Sequence, residues 1–305
     1  MVGYLLERLV YAALVLLGVS LAAFLLMHLS GDPAMMAVPS DAPPEQIAEA
    51  RRTLGLDRSL PEQYLTFLGR IARGDFGTSF RHRVPTVTLL AARIPPTLLL
   101  AVTSLGLAVV MAVPIGVAAA VSRGGAMDIL GRVLVTLGQS APVFWTGIMS
   151  ILLLAVRWRV LPASGYDSWL NLLLPASTLG IYSAAEMVRF VRNGVLDVLR
   201  EDYVRSARAK GLSSRVVLSR HVLRNALIPL VTFIGLRLGV LMGGAVVTEA
   251  VFGWPGVGSL MVDAVLSRDV PLVQATLMMT AGAVALANLA VDLAYGVIDP
   301  RISHG

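Results

Sequence analysis

The residues that would do covalent chemistry in this chain are few and badly placed for it. Its single lysine, Lys210, is followed by Gly211 and Leu212. No glycine-rich loop ending in Gly-Lys-Ser/Thr is present to cradle a nucleotide's phosphates. The histidines, His28, His82, His221 and His304, are scattered without metal-ligand spacing. Cysteine is absent, which removes disulfides and thiolate metal sites. No nucleophile-elbow pattern occurs, so ATP hydrolysis, metal-assisted hydrolysis and intramembrane proteolysis all lack their parts. What the residue types do support is electrostatics inside apolar surroundings. Glu186, Arg189 and Arg192 interrupt one apolar stretch and Arg237 another. Ionisable groups at such positions are costly and default to paired or functional roles. Arg237 lies about 16 Å into its stretch at 1.5 Å per residue, and Glu186 lies at similar depth in its own. The two are expected to pair across neighbouring helices; the alternative is that Arg237 faces a water-filled pathway or a partner subunit.

The stretches that hold these charges decide the class. Of 305 residues, 56% are hydrophobic and 14% are charged, against roughly 25% charged in soluble domains. So few charges cannot cover a soluble surface, and lipid must be the outer solvent. About six stretches reach the roughly 20 residues needed to cross a bilayer: 9–29, 97–121, 133–156, 170–195, 226–247 and 270–291. The first is too long, and followed by the wrong residues, for a cleaved signal. The formal net charge of +6 fits basic cytoplasmic loops; without aromatic and basic interleaving it does not indicate nucleic acid. Arg200, Arg205, Arg208, Lys210, Arg215, Arg220 and Arg224 crowd the loop between the fourth and fifth stretches, which is therefore expected in the cytoplasm. An even span count puts both termini there. The long loop 30–96 is then external. Pro43-Pro44-Glu45 opens one short helix in it, ending at Gly55. Ser59 and Glu62, with Pro61 in the first turn, form a capping box for a second. Both would make a small external cap, either packed on the span ends or docking a partner.

Segment 197–225 is the most informative. A helical run from Asp202 stops at Gly211, where glycine tolerates positive φ. Ser206, Ala207 and Ala209 leave its backbone approachable, and Tyr203, Arg205, Arg208 and Lys210 surround it. A second run, Arg215 to Leu223, follows. Together they form a rigid knob between two spans, where a generic basic loop would need only charge. In the fifth stretch Gly239 and Gly243, followed by Gly244, form a small-residue face for close helix contact or for lining or gating a pathway. Gly253-Trp254-Pro255-Gly256 cannot continue a helix and marks an outer turn that dips back toward the membrane. Trp254 there fits an interfacial anchor, with an outer gate or a contact to a delivery protein as the functional alternatives.

The segment around Ala207-Arg208-Ala209-Lys210-Gly211 resembles the coupling helix of membrane subunits of bacterial ATP-binding-cassette importers in the dipeptide, oligopeptide and nickel group. Relative to the superfamily's Glu-Ala-Ala…Gly motif, Arg205 and Ser206 replace the Glu and first Ala, while Ala207 and Gly211 hold. The resemblance extends along the whole chain: Gly31-Asp32-Pro33, Gly74-Asp75-Phe76-Gly77-Thr78-Ser79, Val251-Phe252-Gly253-Trp254-Pro255-Gly256-Val257-Gly258, Arg268-Asp269, Gln274, and finally Asn288, Asp292, Tyr295 and Asp299-Pro300-Arg301. It implies an all-α integral membrane protein with six transmembrane helices in the type I importer (MetI-like) permease fold and a small extracytoplasmic helical cap. The division would be 1–29 (first span), 30–96 (external loop) and 97–305 (core permease). The partners implied are a second, similar permease subunit, two ATP-binding-cassette ATPase subunits and an extracytoplasmic solute-binding protein, all at a bacterial inner membrane. This chain would bind no cofactor; ATP and Mg would sit on the ATPase partners. Peptides are the cargo first implied, with glutathione, nickel or another small solute as alternatives. A gradient-driven secondary transporter would need several mid-membrane carboxylates, and Glu186 is the only deep one. A scaffold without transport would show no ATPase coupling.

Overall fold

The computed structural model describes residues 2–29, 31–39, 41–243 and 245–298, with the side chains of 2–5, 228 and 294–298 excepted. Gly244, the Tyr295 side chain, Asp299-Pro300-Arg301 and His304 lie outside the described residues. Among those described the chain is helical throughout, with one isolated antiparallel bridge between Thr78 and Pro85.

Helix α1 (Val2–Leu29) is the first span. Three short helices follow: α2 (Pro33–Ala37), α3 (Pro44–Thr53) and α4 (Leu60–Ile71). Asp32 caps α2, accepting from Ala34 N at 3.0 Å, and binds Arg51 of α3 in an ion pair. Ser59 N donates to Glu62 Oε2 at 3.1 Å, as its capping-box spacing requires. Tyr64 of α4 hydrogen-bonds Ser20 of α1 through its hydroxyl, 2.9 Å away, and His28 meets Gln63 at 3.0 Å. These contacts seat the cap on the end of α1.

The second span, α5 (Thr86–Val121), begins ahead of Thr97 and carries Pro95, Pro96 and Pro114 inside it. Proline disfavours helix at the residue before it, so the sequence places a boundary at the double proline. Tertiary packing overrides that preference. Leu90, 5% exposed, is held in an apolar cluster with Val257, Leu260, Ala264, Leu272 and Ala275.

The third stretch is not one rod. It is divided into α6 (Ala126–Ser140) and α7 (Val143–Ser150), the latter continuing as a π-helical turn through Arg157. The two parts meet at 93°. Pro142 has no N–H to donate, and Ala141 before it is extended at φ −105°, ψ 139°, the conformation a following proline imposes.

Helix α8 (Leu170–Val198) packs along α5 in the most extensive helix contact of the molecule. The knob is α9 (Asp202–Ala209), then α10 (Ser214–Val216), a π-helical stretch Val217–Val222, and α11 (Leu223–Ala226). Helices α12 (Ile228–Met242), α13 (Val246–Val251), α14 (Val257–Leu266) and α15 (Val270–Ile298) complete the chain. Helix α15 lies between α1 and α12. By length and composition α1, α5 and α15 can each cross a membrane alone; α6 with α7, and α10–α11 with α12, can do so as bent pairs. Helix α8 has the length, 29 residues, but carries the charges noted above. The largest core joins α5, α8 and the knob through Ala108, Ala112, Met187, Val191, Val195, Val204, Val217 and Val222.

Candidate functional site

The knob is built from its inward face. Val204 and Ala207, 0% and 6% exposed, sit in the core cluster with Val195 of α8 and Val217 and Val222 of the following turn. Ala207 is therefore buried and does not belong to the approachable face that its small side chain suggests; its size lets α9 sit close to the helices behind it. The approachable face is made by Tyr203, Ser206, Ala209 and Lys210, all exposed, as are Arg205 and Arg208. Arg205 pairs with Asp202 one turn away. Tyr203 Oη accepts from Asn225 Nδ2 at 2.8 Å, tying α9 to α11. Gly211 ends the helix at φ +81° with open space around it. The result is a short helix fixed from behind and presenting apolar (Tyr203, Leu212, Val216) and cationic groups outward. Such a surface is suited to docking.

Glu186 of α8 and Arg237 of α12 form an ion pair. Their side chains are 22% and 26% exposed, so the pair opens to a surface of the chain. The guanidinium also lies 5.6 Å from the Phe233 ring centroid, a cation–π distance. Phe233 in turn meets Phe190, centroids 5.3 Å apart.

Gly239 and Gly243 occupy a different face. A Cβ at Gly239 would stand 2.6 Å from Ala287 Cβ, and one at Gly243 would stand 2.9 Å from Thr280 Cγ2. Both partners belong to α15. Thr280 Oγ1 also donates to Gly243 O at 3.3 Å. These glycines permit the close approach of α12 to α15, the packing role that the small-residue face offers.

The anchor reading of Trp254 needs correction. The residue is 1% exposed, packs on Leu100, Ala176 and Leu179 of α5 and α8, and is not an interfacial anchor. The physical reason is the indole N–H, which finds a buried acceptor. Nε1 donates to Pro96 O at 2.9 Å, and Tyr166 closes over the ring edge-on at 4.9 Å. Gly253, at φ +56°, makes the turn that carries Trp254 back among the spans.

Three carboxylates were missed by sequence reasoning, and each ties segments far apart in the chain. Glu249, fully buried, accepts from Thr97 Oγ1 at 2.9 Å and Ser259 N at 3.0 Å. A Cβ at Gly256 or Gly258 would collide with its carboxylate. Asp269, 1% exposed, accepts from the Ser79 hydroxyl, Phe80 N (3.1 Å) and Arg81 N (3.2 Å), joining two motifs read separately in the sequence. Asp128, 1% exposed, accepts from Arg192 Nε at 2.7 Å and Gly124 N at 3.0 Å, fastening the start of α6 to α8. For Glu249 and Asp128 the only sequence signal is position near glycine-bearing turns; Asp269 has none of its own. Among the described residues no cluster of His, Cys, Asp or Glu could hold a metal.

Comparison with known proteins agrees with this geometry. The family model of the binding-protein-dependent transport system inner membrane component matches residues 112–304, and that of the family's N-terminal membrane component matches residues 1–101. The glutathione transport system permease protein GsiC of Pectobacterium atrosepticum is 43% identical over 305 residues, covering 100% of both chains. The dipeptide transport system permease protein DppB of Escherichia coli K12 is 38% identical over 337 residues, covering 100% of this chain and 99% of its own. Among solved structures, the MetNI methionine ABC transporter in inward-facing conformations shares the fold at TM-score 0.56 and 19% identity, over 70% of this chain and 97% of that one. A glycine-tolerant knob behind two spans, a cap seated on the first, and matches along the whole length converge on one assignment: the chain belongs to the binding-protein-dependent transport system inner membrane component family.

Proposed function

We propose that this chain is the permease subunit of an ATP-driven importer of peptides, and that α9 is its coupling helix. Family membership supports the class. The α9 geometry supports the mechanism and is the observation that carries it: an exposed docking face whose buried side is continuous with the core of α5 and α8. A push on α9 is transmitted through Val204 and Ala207 into that core, because packed interiors shift as units between discrete arrangements. The knob end of the bundle then lies in the cytoplasm with both termini, and the cap lies outside. ATP and Mg reside on two ATPase subunits docked at α9 and at the matching helix of a second permease subunit. A solute-binding protein delivers cargo at the cap end. Glu186 and Arg237, whose pair opens to the surface of this chain at mid-span, face the pathway or the second permease subunit. Relatives named for glutathione and for dipeptides both point to peptide cargo, with the higher identity on the glutathione side.

The test is ATPase activity of the reconstituted complex, with and without loaded binding protein, for wild type and Gly211→Asp. Stimulation is expected to vanish in the variant while the complex still assembles. Normal stimulation would remove α9 from the coupling role. Uptake of glutathione against an unmodified dipeptide, measured in the same vesicles, decides the cargo.

A further inference from the structure

A cavity of about 510 Å³ separates the cap from the ends of α1 and α15. Its floor includes Phe24 and Met27 of α1 and Gln274 of α15; Phe67 of α4 and Phe76 add apolar wall. Arg58, Arg70 and Arg83 also line it, against one acidic residue, Asp75. Arg70 is engaged by Asp75, Nε to Oδ2 at 2.9 Å. The guanidiniums of Arg58 and Arg83 are exposed and make no ion pair or side-chain hydrogen bond among the described residues. Two free cations therefore stand over an aromatic floor.

The depth of that floor identifies the ligand. Phe24 and Met27 lie five and two residues below the end of α1 at Leu29, and Gln274 lies four residues into α15 from Val270. At 1.5 Å per residue these positions are roughly 3–8 Å below the span ends. The polar interfacial layer of a bilayer is of similar thickness, roughly 5–8 Å on each side. The wall formed by α1 belongs to the span with the least protein around it, 17% of its apolar window being buried, so its outer face is open to lipid beside the cavity. Unpaired arginines at the polar layer of a membrane attract anionic headgroups by the same charge complementarity that basic pockets use at the cytoplasmic leaflet.

We propose that this cavity binds an anionic phospholipid, its phosphate between Arg58 and Arg83 and the first part of its acyl chains on Phe67 and Phe76. The lipid would fill the gap under the cap and hold the cap to the membrane surface.

The test uses the full-length protein with the subunits that co-purify in mild detergent. Native mass spectrometry compares retention of dioleoyl-phosphatidylglycerol with that of dioleoyl-phosphatidylcholine. The phosphatidylglycerol is expected to be preferred, and the double variant Arg58→Gln/Arg83→Gln to weaken its binding about thirty-fold, from the usual contribution of each basic residue near an anionic surface. Phosphatidylcholine binding should not change. Arg52→Gln, on α3 and outside the cavity lining, should leave both lipids as in wild type. Thr66→Trp, which keeps every charge but fills the cavity from α4, should also abolish the preference. Equal retention of the two lipids overturns the proposal, as does a preference that survives the double variant or Thr66→Trp. Displacement of phosphatidylglycerol by millimolar inorganic phosphate would show a plain anion site and would equally overturn it.

Discussion

Replacing Gly239 with alanine separates packing from pathway lining. The added Cβ would meet Ala287 Cβ at 2.6 Å, whereas ordinary contacts begin near 3.4 Å. Helix α12 or α15 must therefore give by the difference, 0.8 Å. No flexible side-chain end is available to yield, because both atoms are Cβ atoms fixed to helical backbone. A radial gap of this size forfeits roughly a quarter to a half of each van der Waals contact along the seam, and close contact of this kind is what holds helices together in lipid. Overpacking of a fitted site costs about 1–3 kcal/mol. Thermal unfolding in detergent should then show a fall in Tm of roughly 2–10 °C. Gly106 of α5 supplies the opposite sign. It is exposed, and a Cβ added there would meet nothing within 4 Å, so Gly106→Ala should gain up to about 1 kcal/mol of helix propensity. If Gly239→Ala melts with wild type while cargo uptake changes, Gly239 lines the pathway after all and the packing argument fails.

Three further outcomes are expected. Glu186→Arg and Arg237→Glu should each lower the yield of assembled complex several-fold, since each leaves two like charges facing one another at mid-span; the double reversal should restore it, and absence of rescue would mean the ion pair is incidental. Trp254→Phe should cost about 1–3 kcal/mol, because it removes the indole hydrogen bond to the Pro96 carbonyl and leaves a void in a buried site; an unchanged melting temperature would show that neither the bond nor the ring volume stabilises the turn. In the cap, the Arg70 guanidinium and the Gly77 N–H hold the Asp75 carboxyl below its usual range. The folded form is thus favoured above the ordinary carboxylate pKa of 3.8, and that gain disappears as pH falls through the lowered folded value. The proteolytic resistance of the cap in wild type relative to Asp75→Asn should converge at acid pH; a difference that persists unchanged to about pH 2, below the reach of an ordinary carboxylate, would place the stabilisation elsewhere.

The parts of this architecture that were legible in the sequence are those set by local rules. Gly211 and Gly253 announce their turns because positive φ excludes most other residues, and Ser59 with Glu62 announces the start of α4. Counting apolar residues against a bilayer finds three spans that are single helices and two that are bent pairs among the described residues; the sixth stretch, α8, has the length but carries Glu186, Arg189 and Arg192. Boundaries failed where packing overruled propensity. Pro95 and Pro96 lie inside α5, and Pro142, inside an uninterrupted apolar run, turns the chain through 93°. Nothing local distinguishes the two cases. In the first, Leu90 is buried against α14 and α15; in the second, Ala141 is left extended.

Charges in apolar surroundings divide in the same way. Glu186 and Arg237 could be matched because each interrupts a recognisable span at comparable depth, so geometry limited the choice of partner. Glu249, Asp269 and Asp128 lie just outside the predicted spans, where a carboxylate reads as solvated. Their burial depends on donors brought from 64 to 190 residues away, Arg192 in one case and Ser79 in another, and at Glu249 also on Gly256 and Gly258, which vacate the space. A lone acidic residue beside a Gly-rich turn at a span end is therefore a better marker of a tertiary clasp than of an exposed loop. In this fold the clasps hold the turn at Trp254, the cap loop and the start of α6, each fixing a connection to helices distant in the chain.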